Sequence, residues 1–180
     1  MRRIIPYFIA ILCLIYSPIS NARDYLSMEE ALKRFFFCSE KIEAKEVMLS
    51  EDKKRAIEKR LVDRIIKNGF IFYVGKPGGK MDGYGIEVTE QGKHGPIYFL
   101  IALTKEGHIR DIVILKRMEV KGAKIAKKRF LRQFRGKGLK NPLRLKKDID
   151  AVTGATISSK AATKAARKAL FLWQDFLSLQ

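Results

Sequence analysis

The sequence predicts an α+β fold: an antiparallel sheet with flanking helices, in a single domain that follows an N-terminal signal segment. Three observations predict it. Between Phe70 and Lys116 apolar residues fall in short runs separated by glycine-containing turns, which is the pattern of successive strands. On both sides of that region apolar residues recur at helical spacing instead. The chain has 180 residues, 47% hydrophobic and 31% charged, enough for one well-solvated domain with a real core.

The N-terminus has the order of a secretory leader. Arg2 and Arg3 precede an apolar run from Ile4 to Tyr16, broken only by Pro6. Ser20-Asn21-Ala22 then places small residues at a cleavage position, so residues 1–22 read as a signal peptide. The alternative is an uncleaved anchor, although the run is shorter than the roughly 20 residues a spanning helix needs. Cys13 follows the bulky Leu12, which argues against lipidation. Arg2 and Arg3 take two of the +18 formal charges with the leader and leave +16. Only Cys38 then remains, read as a buried and inert thiol. One thiol makes no internal disulfide, iron–sulfur site or zinc site. Any redox cofactor of this chain would therefore be held by something other than cysteine.

The elements follow in order. Ser27 and Glu30 have capping-box spacing ahead of a helix whose apolar face is Met28, Ala31, Leu32, Phe35 and Phe36. Residues 41–49 lean towards a strand. Ser50 is an N-cap, with Glu51 and Asp52 in the first turn, where carboxylates suit the helix dipole. Ala56, Leu61, Ile65 and Ile66 line one side of that helix, and Asn68-Gly69 stops it. Residues 23–69 thus form an N-terminal extension, and residues 70–180 the main domain.

Phe70–Val74 is a strand closed by the turn cluster Gly75–Gly79. Gly83-Tyr84-Gly85 leads into a second strand, and Pro96–Thr104 is a third. Lys105-Glu106-Gly107 is a hairpin connection to His108–Lys116, with Ile109, Ile112 and Ile114 apolar. Phe70, Phe72, Tyr73, Tyr98 and Phe99 read chiefly as core. Helix resumes near Ala123 with the stripe Ile125, Phe130, Leu131 and Phe134, and breaks at Arg135-Gly136-Lys137-Gly138. An extended stretch reaches Val152, and Ile157–Leu177 is the most regular helix, with Leu170, Trp173 and Leu177 at its apolar end.

The segment with chemical content is Asp150-Ala151-Val152-Thr153-Gly154-Ala155-Thr156-Ile157-Ser158-Ser159. Gly154 permits positive φ, Ala155 keeps the turn narrow, and four hydroxyls (Thr153, Thr156, Ser158, Ser159) gather at a helix start. Free N–H groups and the positive dipole end make that start a place for a phosphate. An ordinary side-chain-capped helix start accounts for the same residues.

The segment resembles the flavinylation motif of the FMN-binding domain family, Asp-x-x-(Ser/Thr)-Gly-Ala-Thr, through Asp150, Thr153, Gly154, Ala155 and Thr156. That family includes the small flavin subunits of sodium-pumping quinone reductases and of ferredoxin-linked membrane complexes. The resemblance extends over roughly residues 70–172. It includes Gly83-Tyr84-Gly85, the aromatic segment Phe130–Phe134, and Glu119-Val120-Lys121-Gly122 in place of a Glu-Thr-Pro-Gly turn, with the Thr-Pro lost.

The resemblance implies FMN esterified through its phosphate to Thr156 by a flavin transferase. Thr153, Gly154, Ala155, Asp150, Ser158, Ser159 and Glu119 would surround the cofactor. It implies an extracytoplasmic electron-transfer flavoprotein of a membrane redox chain, exchanging electrons with donor and acceptor proteins, and a carrier rather than an independent catalyst. Positive charge from Lys160, Lys164, Arg167 and Lys168 would favour the anionic reduced flavin. The competing readings are a flavin-bearing component of an exported reductase, and a basic exported binding module without flavin. The basic surface suits an anionic membrane or an acidic redox partner, and export argues against nucleic acid. His94 and His108 lack a second ligand at metal spacing, so no metal site is expected.

Overall fold

A computed structural model describes residues 25–79, 81–115, 125 and 128–178. The leader, Cys13 and the Glu119–Gly122 turn lie outside the described residues.

The chain opens with a two-residue strand β1 (Tyr25–Leu26) and helix α1 (Met28–Phe35). The capping box forms as expected: Ser27 Oγ accepts the Glu30 N–H at 3.2 Å, and Glu30 accepts the Ser27 N–H at 2.7 Å. Strand β2 (Lys41–Met48) leads to α2 (Glu51–Leu61), capped by Ser50. Next come β3 (Gly69–Lys76), β4 (Gly83–Gly92), β5 (Gly95–Thr104) and β6 (Ile109–Leu115). A single turn α3 (Lys128–Leu131) continues as a 3-10 turn (Arg132–Phe134), and the long helix α4 (Thr156–Leu177) closes the fold.

The six strands form one sheet in the order β1-β6-β5-β4-β3-β2. All neighbours are antiparallel except β1, which runs parallel to β6 at the edge. Helices cover both faces, so the central β5 reads as a continuous apolar run rather than an alternating one. Its Ile97, Phe99, Ile101 and Leu103 belong to the large core beneath α2 and α4, whereas Leu100 and Ala102 pack with Ala31, Phe35 and Phe36 of the α1 side. Between Ala102 and Leu103 the pairing with β6 skips Arg110. This bulge lets Ile109 join Ile112 and Ile114 in the large core despite the odd spacing. Arg110 turns out to Asp82, donating to its carboxylate at 3.0 Å and its carbonyl at 2.8 Å.

Helix α4 lies close against the sheet because its inner face is small: Ala161, Ala162, Ala165, Ala166 and Ala169 are buried. Aromatics lock its C-terminal half. Phe176 stacks on Phe72 with centroids 4.3 Å apart, and Tyr84 meets Trp173 and Phe176 edge-on. Gly83-Tyr84-Gly85 is therefore core. Gly107, at φ 81° in the β5–β6 hairpin, sits under Trp173; a Cβ there would lie 2.2 Å from the indole ring.

Several expectations are corrected. Helix α2 ends at Leu61 with Val62 in a left-handed conformation, not at Asn68-Gly69. Ile57 and Leu61 form its buried side, Ala56 is exposed, Ile65 is buried from the connection, and Ile66 faces solvent. Leu177 at the end of α4 is also exposed, its place in the core taken by Phe176. Cys38 is exposed, because the chain leaves the core after Phe36. The stretch before Val152 is not extended. It is a run of turns in which Asp148 accepts the Leu143 and Arg144 N–H groups at 3.1 and 2.9 Å. No helix among the described residues is long and apolar enough to cross a membrane.

Candidate functional site

The predicted motif is one surface structure at the N-terminal end of α4. Gly154 adopts φ 71°, and Ala155 donates its N–H to the Val152 carbonyl at 2.9 Å, closing a tight turn. The helix starts at Thr156, and its N-cap, Ala155, makes no side-chain hydrogen bond to the first turn. The side-chain-capped reading is thus not what forms. In a helix of 22 residues the N–H groups of Thr156, Ile157 and Ser158 precede the first internal acceptor, and alanine offers them no replacement. Both the amides and the dipole suit an anion at this point.

Burial separates the four hydroxyl residues. Thr153 and Thr156 are exposed, and Ser158 and Ser159 are buried. Ser159 is fully occupied: its Oγ accepts the Val152 N–H at 3.1 Å and donates to the Ala155 carbonyl at 3.0 Å. It fastens the turn from inside and leaves no bond for a ligand. Asp150 is exposed and is held through its backbone. The Gln133 side chain accepts the Asp150 N–H at 2.8 Å and donates to the Asp150 carbonyl at 3.2 Å. Gln133 is set in place by Phe130 and Phe134, which are buried edge-to-face 5.6 Å apart. The sequence reading missed Gln133, and its only signal was a lone amide inside an aromatic stripe.

The structure brings Asp150, Thr153, Gly154, Ala155, Thr156, Ser158 and Ser159 together as one turn and helix start. Glu119 lies outside the described residues. The helix cations do not form a common field at the motif. Lys160 is exposed, but Lys164 pairs with Asp63 at 2.7 Å, and Arg167 donates to the Arg60 and Leu61 carbonyls at 3.0 and 3.4 Å. Lys168 is buried in an ion pair with Glu90. These three bind α4 to α2 and β4.

A cleft of about 670 Å³ lies on the flank of α4 beside the α2–β3 connection, and no residue of the 150–156 turn lines it. A smaller depression of about 180 Å³ surrounds Asp111. There Arg34 donates to Asp111 at 2.8 Å and Arg135 binds it at 3.2 and 3.0 Å, tying α1 and the 3-10 turn to β6. No cluster of potential metal ligands occurs among the described residues.

The residues present fit a phosphate-tethered flavin. An exposed threonine, first-turn amides without an intrahelical acceptor and a narrow Gly-Ala turn adjoin one another in the chain. Ile157, 52% exposed next to Thr156, adds an apolar surface.

Comparison with known proteins also points to FMN. Residues 92–171 match the FMN-binding domain. A component of the proton-translocating ferredoxin:NAD(+) oxidoreductase complex of Clostridium ljungdahlii is 34% identical over 106 residues, covering 55% of this chain and 57% of that protein. A component of the Na(+)-translocating ferredoxin:NAD(+) oxidoreductase complex of Acetobacterium woodii is 32% identical over 114 residues, covering 57% and 55%. The chain spans about half the length of these curated relatives. Two crystal structures share the fold. A component of the Na(+)-translocating NADH-quinone reductase from Parabacteroides distasonis has a TM-score of 0.54 at 18% identity, covering 86% of each chain. Shewanella oneidensis NqrC has a TM-score of 0.53 at 16% identity, covering 81% of this chain and 88% of that one. Residues 92–171 thus carry the match to the FMN-binding domain, and the fold around them is the one shared by the two crystal structures.

Proposed function

We propose that this protein is an electron-transfer flavoprotein that carries FMN as a phosphoester on Thr156 and works at the outer face of a membrane, within or beside a redox complex. The observation that carries the reading is the exposed Thr156 hydroxyl residue at the uncapped start of α4, inside Asp150-x-x-Thr153-Gly154-Ala155-Thr156. In this reading Thr156 provides the acceptor hydroxyl and the first-turn amides of α4 hold the phosphate. Thr153, Gly154, Ala155 and Ser158 would border the cofactor, and Asp150 would sit at the entrance. Ser159 and Gln133 would fix the turn from behind. Bound FMN supplies one- and two-electron chemistry, and the protein supplies position and shielding. A phosphate tether keeps the cofactor from diffusing away outside the cell, which suits the leader-like residues 1–22.

Residues 70–180 form the flavin-bearing unit in this reading, and residues 23–69 complete its sheet. Maturation requires a flavin transferase. The two ferredoxin:NAD(+) oxidoreductase relatives belong to ion-translocating complexes, which supports a membrane redox partner for this chain. Among the described residues the 150–156 turn holds no histidine and no carboxylate besides Asp150, which favours a carrier over an independent catalyst.

Intact mass of the protein produced with an active flavin transferase tests the reading. Wild type gains one FMN phosphoester, Thr156→Ser retains it, and Thr156→Ala loses it. An unmodified wild type beside a flavinylated control protein overturns the proposal.

A further inference from the structure

The α2–β3 connection carries two of the most exposed apolar side chains of the described molecule. Val62 is 82% exposed and Ile66 93%. Val62 also holds φ 55° and ψ 40° as the C-cap of α2, a conformation that costs a β-branched residue more than almost any other. An exposed aliphatic group on a strained backbone is retained at a cost to the folded state, and that points to a use outside the core.

Cations accompany these aliphatic groups on the connection. Ile66, Ile71, Arg64 and Lys67 line the same 670 Å³ cleft. The charged groups facing it from the packed elements are Asp63 from the connection, Glu87 and Glu90 from β4, and Lys164 and Lys168 from α4. Asp63 is paired with Lys164 and Glu90 with Lys168, while the nearby Glu58 accepts the Ile65 N–H at 2.6 Å. Arg64 and Lys67 are exposed and make no ion pair among the described residues.

Two exposed aliphatic side chains alternating with two cations, neither in an ion pair among the described residues, match the boundary between lipid headgroups and acyl chains on one short connection. We propose that residues 62–67 form a bilayer-contact loop, with Val62 and Ile66 entering that boundary and Arg64 and Lys67 binding the phosphates of anionic lipids. An acidic protein would satisfy the cations but would need a fitted pocket for each aliphatic group. A bilayer satisfies both without shape complementarity, and the chain's +18 charge favours the approach. The inference deepens the membrane association of the proposed function and does not depend on the flavin.

The test uses the full chain with Cys13 and Cys38 changed to serine. An environment-sensitive dye is placed at Ile66→Cys or, as a control, at Glu106→Cys in the β5–β6 hairpin at the opposite end of the sheet. On phosphatidylcholine vesicles containing phosphatidylglycerol, emission at position 66 shifts to the blue and emission at position 106 does not. Arg64→Ser with Lys67→Ser weakens binding about 25-fold, roughly fivefold for each cation. Val62→Gly relieves the backbone, so it raises stability and still lowers vesicle affinity.

Equal shifts at both positions, as adsorption through residues 1–22 would give, overturn the proposal. No shift at position 66 also overturns it and leaves the loop to a protein partner. Flavin attachment, measured on the same samples, is scored separately. Loss of flavin with the shift intact sinks only the flavin-carrier reading, and the reverse sinks only the loop.

Discussion

Gln133 and Asp150 hold each other at two points: the Gln133 amide accepts the Asp150 N–H at 2.8 Å and donates to the Asp150 carbonyl at 3.2 Å. The side chain thus substitutes for a strand partner and fixes where the Asp150–Thr156 turn begins. Gln133→Ala removes both bonds and is expected to cost about 1–2 kcal/mol of stability. It also leaves the Thr156 turn free to shift, which is expected to slow transferase-dependent flavinylation by roughly tenfold or more. Gln133→Glu keeps the acceptor, loses the donor and falls between. A time course of in-gel flavin fluorescence beside a thermal melt separates the roles. An unchanged rate with lowered stability would show that the clamp serves only the fold.

Much of the local structure was legible because it obeys short-range rules. The Ser27–Glu30 capping box, the Ser50 cap, the Lys105–Gly107 hairpin and the start of α4 each follow from two to four neighbouring residues. The end of α2 was not legible. Ile65 and Ile66 continue the helical periodicity past Val62, and no local rule places a left-handed turn on valine. The motif itself was found by its residues, but its hydroxyls could be sorted only by burial. Ser159 turns inward to Val152 and Ala155, whereas Thr156 stays outside. The engagement of Lys164 with Asp63 and of Lys168 with Glu90 spans most of the domain, so the helix alone read as a free basic face.

The Lys168–Glu90 pair is a test of that long-range wiring. Both side chains are 9% exposed, so removing one partner leaves a buried charge without compensation. Lys168→Met is expected to cost about 3–5 kcal/mol, and the double variant Lys168→Met, Glu90→Leu much less. Urea unfolding of the two single variants and the double variant reads the coupling directly. Additive losses would mean that the pair does not hold α4 to β4.

Gly107 and Trp173 provide a packing test at the other end of the sheet. Gly107 combines φ 81° with an indole ring where its Cβ would be. Gly107→Ala therefore meets both backbone strain and a clash with a buried ring, and a loss of about 2–4 kcal/mol is expected. Trp173 fluorescence should report the displaced ring in the folded state. A variant as stable as wild type with an unchanged emission maximum would contradict the close approach.

Asp148 gives the pH dependence its direction. Burial alone would raise its pKa, but the Arg144 and Leu143 N–H groups and the Lys137 ammonium, 3.3 Å away, outweigh that and hold it below the usual carboxylate range. The folded pKa lies below the unfolded one. The group's contribution is therefore fully present above the unfolded value of about 3.9 and is lost as pH falls through the folded value. Asp148→Ala is expected to cost about 1–3 kcal/mol at pH 7 through the lost hydrogen bonds. The gap between variant and wild type should then close in acid, below about pH 4. Asp63 shifts the same way: burial opposes, and Lys164, the Arg64 backbone and Lys168 more than offset it. Acid should accordingly weaken the turns ahead of Val152 and the α2–α4 contact over one window. Urea midpoints at pH 7 and near pH 3 check this, and a variant deficit that stays constant across the two would assign Asp148 a role that does not depend on its charge.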